Sequence, residues 1–162
     1  MATRFDKLIE IVRLYQREAN RCGKAKAYMV GCIALGAALE AQLLALCTLY
    51  RHRLRKSPTF TQKIKSGRGL WRASLDNLIG VARELNWLPA TPAYKGKSIA
   101  DYAHLVRELR DLVHAGRWAR KQGLRGVEWA IFVWIMPESC AFPRFFALRA
   151  RLEIAMISDG KN

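Results

Sequence analysis

Apolar residues recur at helical spacing along most of this chain, and the pattern changes character from segment to segment. Phe5, Leu8, Ile9, Val12 and Tyr15 fall on one stripe, behind Thr3 and Asp6 at the offset of a capping box. They predict a first helix over residues 3–20, with Gly23 as a natural stop just beyond it. Over residues 27–50 the apolar positions cover every side, and Glu40 is the single charge. This predicts a central helix over residues 24–55, buried in its middle and basic at its end. Leu75, Leu78, Ile79, Ala82 and Leu85, behind Ser74 as N-cap, predict a third helix that Pro89 and Pro92 close before a linker. A fourth is expected over residues 99–122. Residues 127–136 form a nearly continuous apolar run holding Trp129 and Trp134, for which periodicity leaves helix and strand both open. Pro143 then fits the first turn of a last helix carrying Phe145, Leu148, Leu152 and Ala155.

About five helices and no strong strand signal make this an all-α chain. Its 162 residues, 51% of them hydrophobic, suffice for one core and one domain over residues 1–162. The 27–50 stretch is the one segment with the length of a membrane span. A carboxylate near the centre of a span costs on the order of 3 kcal/mol, Gln42 adds to that, and the stretch is alanine-rich. It therefore reads as a buried bundle helix, with no membrane partner, and Glu40 needs a basic partner or a polar cleft.

Cys22, Cys32, Cys47 and Cys140 include no CxxC pair, and three histidines offer no zinc-ligand spacing. Buried, reduced thiols and no metal or other cofactor are expected. The first fifteen residues are charged and amphipathic instead of carrying a signal-peptide core, so a cytoplasmic location is expected. A Gly-rich phosphate loop, a nucleophile elbow and a carboxylate cluster for metal are all missing from the sequence.

Charge narrows the partners. Lys and Arg total 28 against 13 acids, a formal net charge of +15, and self-repulsion of that size is usually offset by a polyanion. Nucleic acid leads as the partner; a basic surface can equally serve an acidic protein or an anionic membrane. The charge concentrates at Arg51, Arg53, Arg55, Lys56, Lys63, Lys65 and Arg68, a run with no acid that also holds Ser57-Pro58 and Gly67. Regular structure is expected to lapse there into a basic loop, which reads either as a surface for the nucleic-acid backbone or as a solvated connector. Arg117, Arg120 and Lys121 form a second basic group.

The chemistry, if there is any, lies in the fourth helix. On a helix over residues 99–122, Tyr102, Leu105, Val106, Leu109, Leu112 and Val113 share a face that must be buried. Arg107, Arg110, Asp111 and His114 fall on the opposite arc, where offsets of three, four and seven residues bring an imidazole beside two guanidiniums. Such a patch suits phosphate. His104 lies at the edge of that arc and His52 in the basic run, and both read as solvated polar groups.

The stretch Val106-Arg107-Glu108-Leu109-Arg110-Asp111-Leu112-Val113-His114-Ala115-Gly116-Arg117 resembles the HEPN superfamily of small helical bundles. So do the third helix, its Asn86-Trp87-Leu88-Pro89 ending and the linker after it. Many members read close to LRNLVHPGR where this chain reads LRDLVHAGR, and the resemblance covers residues 72–118. It implies a HEPN-like bundle and a homodimer whose paired helices bring two Arg/His sets into one cleft. The implied activity is metal-independent endoribonuclease action of toxin or defence type, with an antitoxin as a further partner. His114 would move the proton of the 2′-OH or leaving oxygen, Arg110 and Arg107 would stabilise the charged phosphorane, and Asp111 would orient a partner. Six residues separate Arg107 from His114 and three separate Arg110 from it. Asp111 stands where asparagine is common, and Ala115 where proline is. The second reading is a non-catalytic HEPN-like module that binds nucleic acid or an acidic protein through its basic surface.

Overall fold

Thr3 starts the first helix as its spacing requires. In the computed structural model, which describes residues 3–65, 69–88, 92–94 and 97–111, the Thr3 hydroxyl accepts from the Asp6 N–H at 3.2 Å. The Asp6 carboxylate accepts from the Thr3 N–H at 2.8 Å, closing the capping box of α1 (Arg4–Lys24). Hydrogen bonds from the Thr3 side chain and backbone hold the Asp6 carboxyl below its ordinary range. Gly23 is not the stop. The helix ends in a Schellman turn, with the Ala27 N–H donating to the Cys22 carbonyl at 2.8 Å and the Lys26 N–H to the Gly23 carbonyl at 3.1 Å. Lys26, at φ 57°, supplies the left-handed residue.

The reversal sends α2 (Tyr28–Leu49) back along α1. Leu8 and Val12 pack against Ala41 and Ala45, with Phe5, Ile9 and Leu44 around them, so the start of α1 lies beside the end of α2. Buried residues surround α2 from Gly31 to Cys47, which explains its lack of a polar face. It is long and apolar enough to cross a membrane, with mean hydropathy 1.9. Yet 67% of its most apolar window is buried against the rest of this chain, as a central bundle helix requires. Among the described residues Cys22, Cys32 and Cys47 form no disulfide, and burial pushes the Cys47 thiol up to about 12.

The helix predicted to reach residue 55 stops at Leu49, and the expected basic loop is not a loop. The chain continues as a 3-10 helix, Arg51–Lys56, and a π-helical turn, Phe60–Lys65. The reason lies in two apolar residues spaced through the basic run. Leu54 and Ile64 are each 1% exposed and belong to the main core. Each such burial contributes roughly 2 kcal/mol, enough to hold short turns that are weak by themselves.

A further 3-10 turn, Leu70–Arg72, leads to α3 (Leu75–Glu84), where Ser74 accepts from the Asn77 N–H at 3.2 Å as N-cap. A second Schellman turn closes it: Asn86 sits at φ 56° and the Trp87 N–H donates to the Ala82 carbonyl at 2.7 Å. That bond delivers Trp87 into the core, its ring centroid 5.7 Å from that of Tyr50. Within the expected linker, β1 (Pro92–Tyr94) pairs antiparallel with β2 (Lys97–Ser98). Ser98 and Asp101 then form a capping box at the head of α4 (Ile99–Asp111).

The described residues are thus mostly helical and pack as an all-α bundle in which α4 lies against both α2 and α3. The buried stripe of α4 is Ala100, Ala103, Val106 and Leu109, with Tyr102 and Leu105 partly buried beside it. It is rotated from the predicted arc, because the small residues Ala100 and Ala103 allow closer approach than Tyr102 and Leu105. The predicted helical residues beyond Asp111, the 127–136 run and the last helix lie outside the described residues.

Candidate functional site

The rotation of α4 changes the surroundings of its two arginines. Arg107 and Arg110 flank the buried stripe instead of opposing it, with side chains 27% and 29% exposed. Each is turned toward a different neighbour. The Arg110 guanidinium donates to the carboxylate of Glu40 in the middle of α2, so the lone charge of that helix has the basic partner it requires. Gly36, one turn before Glu40, makes room for the arm: a Cβ there would lie 2.8 Å from Cδ of Arg110 and 3.1 Å from its Cβ.

Arg107 reaches α3, where its guanidinium donates to Oδ1 of Asp76 at 2.6 Å. His104 Nδ1 stands 3.9 Å from the same oxygen, and Glu108 lies 3.7 Å from the second terminal nitrogen of Arg107. Asp76 therefore gathers both His104, which the sequence places as a merely solvated group, and Arg107. The two arginines expected to share one polar patch with Asp111 and His114 instead form two separate ion pairs that dock α4 on α2 and on α3. Asp111 ends the described part of α4. His114, the residue to which proton transfer was assigned, lies outside the described residues, as do Arg68, Arg117, Arg120 and Lys121.

The second group of candidate residues is brought together. Arg51, Arg55, Lys56, Lys63 and Lys65 are exposed and Arg53 half-buried, on two consecutive helical turns anchored by Leu54 and Ile64. Among the described residues, none of these six forms an ion pair, although the charge of Lys63 reaches Glu84. Two hydroxyls fix the turns to α3. Ser57, fully buried, donates to Oε2 of Glu84, the Thr59 N–H donates to the same oxygen at 3.1 Å, and the Thr59 hydroxyl donates to Oε1 at 2.7 Å. Gly80, one turn earlier on α3, lets Thr59 approach; a Cβ there would meet the Thr59 methyl and hydroxyl at 3.3 Å. Desolvation opposes the charge on Glu84, but the hydrogen bonds from Ser57 and Thr59 and the charge of Lys63 outweigh it. Its carboxyl is held below the ordinary 4.5. The basic surface therefore has a fixed shape.

The same end of the molecule holds more than the run of charge in the sequence indicates. The start of α1 lies beside the end of α2, so Arg4 joins this end, its guanidinium 5.3 Å from the centroid of the Trp71 ring. Trp71 is 49% exposed and Arg72 next to it is exposed. Sequence reasoning passed over Trp71, Asp76 and Glu84. An aromatic residue flanked by Arg68 and Arg72 is the signal that could have found Trp71; nothing local marks Asp76 or Glu84, whose partners lie 31 and 27 residues away.

Among the described residues no group of three or more His, Cys, Asp and Glu side chains could hold a metal ion. No protein-family model, curated protein or solved structure matches this chain. The resemblance to the HEPN superfamily thus rests on the residues that carry it.

Proposed function

We propose that this protein binds RNA, through the basic end formed by the turns at Arg51–Lys56 and Phe60–Lys65. One observation carries the reading: six cationic side chains on an ordered surface lack ion-pair partners among the described residues. Arg107 and Arg110, by contrast, are each spent on a carboxylate. Cations left uncompensated on a folded surface raise the local potential for phosphate, and counterion release on binding then supplies affinity without base specificity. Phosphate contacts of this kind position a nucleic-acid backbone and leave sequence unread.

Cleavage is the second reading, and the order of residues in LRDLVHAGR favours it. It requires His114 to meet a cation, and in a HEPN-like arrangement a second protomer to complete the cleft. Arg107 and Arg110 are poorly placed for that role, because each would have to leave a carboxylate before stabilising a phosphorane.

One assay separates the readings. Labelled single-stranded RNA is titrated with protein in EDTA, its anisotropy is followed, and the RNA is then run on a denaturing gel beside a His114→Ala sample. The expected result is saturable binding with the RNA intact for both proteins. RNA cut by the parent and spared by His114→Ala would establish the nuclease instead. Failure of the labelled RNA to bind would overturn the RNA reading.

A further inference from the structure

Trp71 is the large apolar side chain at the basic end that the core does not use. It lies on the 3-10 turn Leu70–Arg72, and just before that turn the Gly69 N–H donates to the Ile64 carbonyl at 3.1 Å, which ties the backbone there to the end of the Phe60–Lys65 turn. The Arg4 guanidinium covers the ring at 5.3 Å from its centroid, and 49% of the residue is still exposed. Leaving half an indole in water is unfavourable by itself, and this one lies under Arg4 and next to Arg72, both exposed, on the turn that follows the basic Phe60–Lys65 turn. An apolar protein partner does not suit an indole covered by one arginine and flanked by another. A planar base on an anionic backbone suits both features: the ring offers a stacking face, the neighbouring cations accept the flanking phosphates, and Arg4 adds cation–π attraction.

From this arrangement we infer that Trp71 is a base-stacking platform, and that the nucleic acid taken at the basic end is single-stranded. The inference rests on the RNA-binding reading above and adds to it the class of strand. A duplex hides the faces of its bases in its own stack, so it presents phosphate to the lysines and arginines and nothing to the indole. A single strand presents both.

The test compares the parent, Trp71→Ala and Trp71→Phe, each checked for unchanged circular dichroism, against three probes: oligoadenylate RNA, duplex RNA of equal charge and inorganic polyphosphate. The expected result is a loss of about 10- to 100-fold in oligoadenylate affinity for Trp71→Ala, with most of it restored in Trp71→Phe. Affinities for duplex and polyphosphate should stay within about twofold of the parent, because those probes rely on the cations alone. Parent-like oligoadenylate binding by Trp71→Ala, or an equal loss for all three probes, would overturn the stacking platform while leaving the RNA-binding reading in place. A parent protein that binds none of the three would overturn both.

Discussion

Arg110 shows how one side chain can be claimed by two kinds of chemistry. By sequence it is a cation one turn before a histidine; in the structure it is the partner that makes Glu40 tolerable in the middle of α2. Both side chains are about one-third exposed, so solvent screens the pair, and its loss should cost about 1–2 kcal/mol instead of the larger penalty of a fully buried charge. Gly36 reports on the same contact. In an ordinary helix interior Gly→Ala gains about 1 kcal/mol, but here the new methyl would press on the Arg110 arm at 2.8 Å. Gly36→Ala is therefore expected to be neutral or destabilising in the parent and stabilising by about 1 kcal/mol in an Arg110→Ala background, measured by urea denaturation. Equal effects in the two backgrounds would show that Arg110 does not lie over Gly36.

The helical turns between α2 and α3 make a testable element, because one carboxylate, that of Glu84, ties the segment between them to α3. The folded-state carboxyl of Glu84 lies below its ordinary 4.5, so its hydrogen bonds contribute stability that is complete above that value and lost as pH falls through the lower folded one. Glu84→Gln should flatten the acid limb of the stability curve below about pH 4.5, and the parent should lose order at the basic turns first, read by amide hydrogen exchange of residues 51–65. An unchanged acid limb would mean that Ser57 and Thr59 do not depend on the ionised form. This element also marks the limit of what the sequence discloses. Thr3, Asp6, Ser74 and the apolar stripes locate α1 and α3, since caps and periodicity are local. The fold of residues 51–65 was not legible, because charge composition dominates the run while Leu54 and Ile64, only two residues, decide its structure through contacts with distant helices. The rotation of α4 was equally hidden: periodicity gives an apolar face, but the approach that Ala100 and Ala103 permit depends on what lies opposite.

Over the whole molecule, a net charge of +15 makes some attraction to RNA inevitable, so mere binding says little about where it happens. The hairpin of α1 and α2 provides an internal control, because its two ends are both basic at the surface. Arg51, Arg55, Lys56 and Lys63 are exposed at one end, and Arg13, Arg17, Lys24 and Lys26 are exposed along α1 toward the other. Changing either set of four to glutamine removes the same charge. The deciding measurement is the slope of log Kd against log salt for single-stranded RNA in the two variants and the parent. Each phosphate contact contributes about 0.7, so neutralising the set at residues 51–63 should reduce the slope by up to about 3, while the α1 set leaves it near the parent value. Equal slopes for the two variants would contradict a binding surface at the basic end and leave only a diffuse attraction of a cationic bundle for a polyanion.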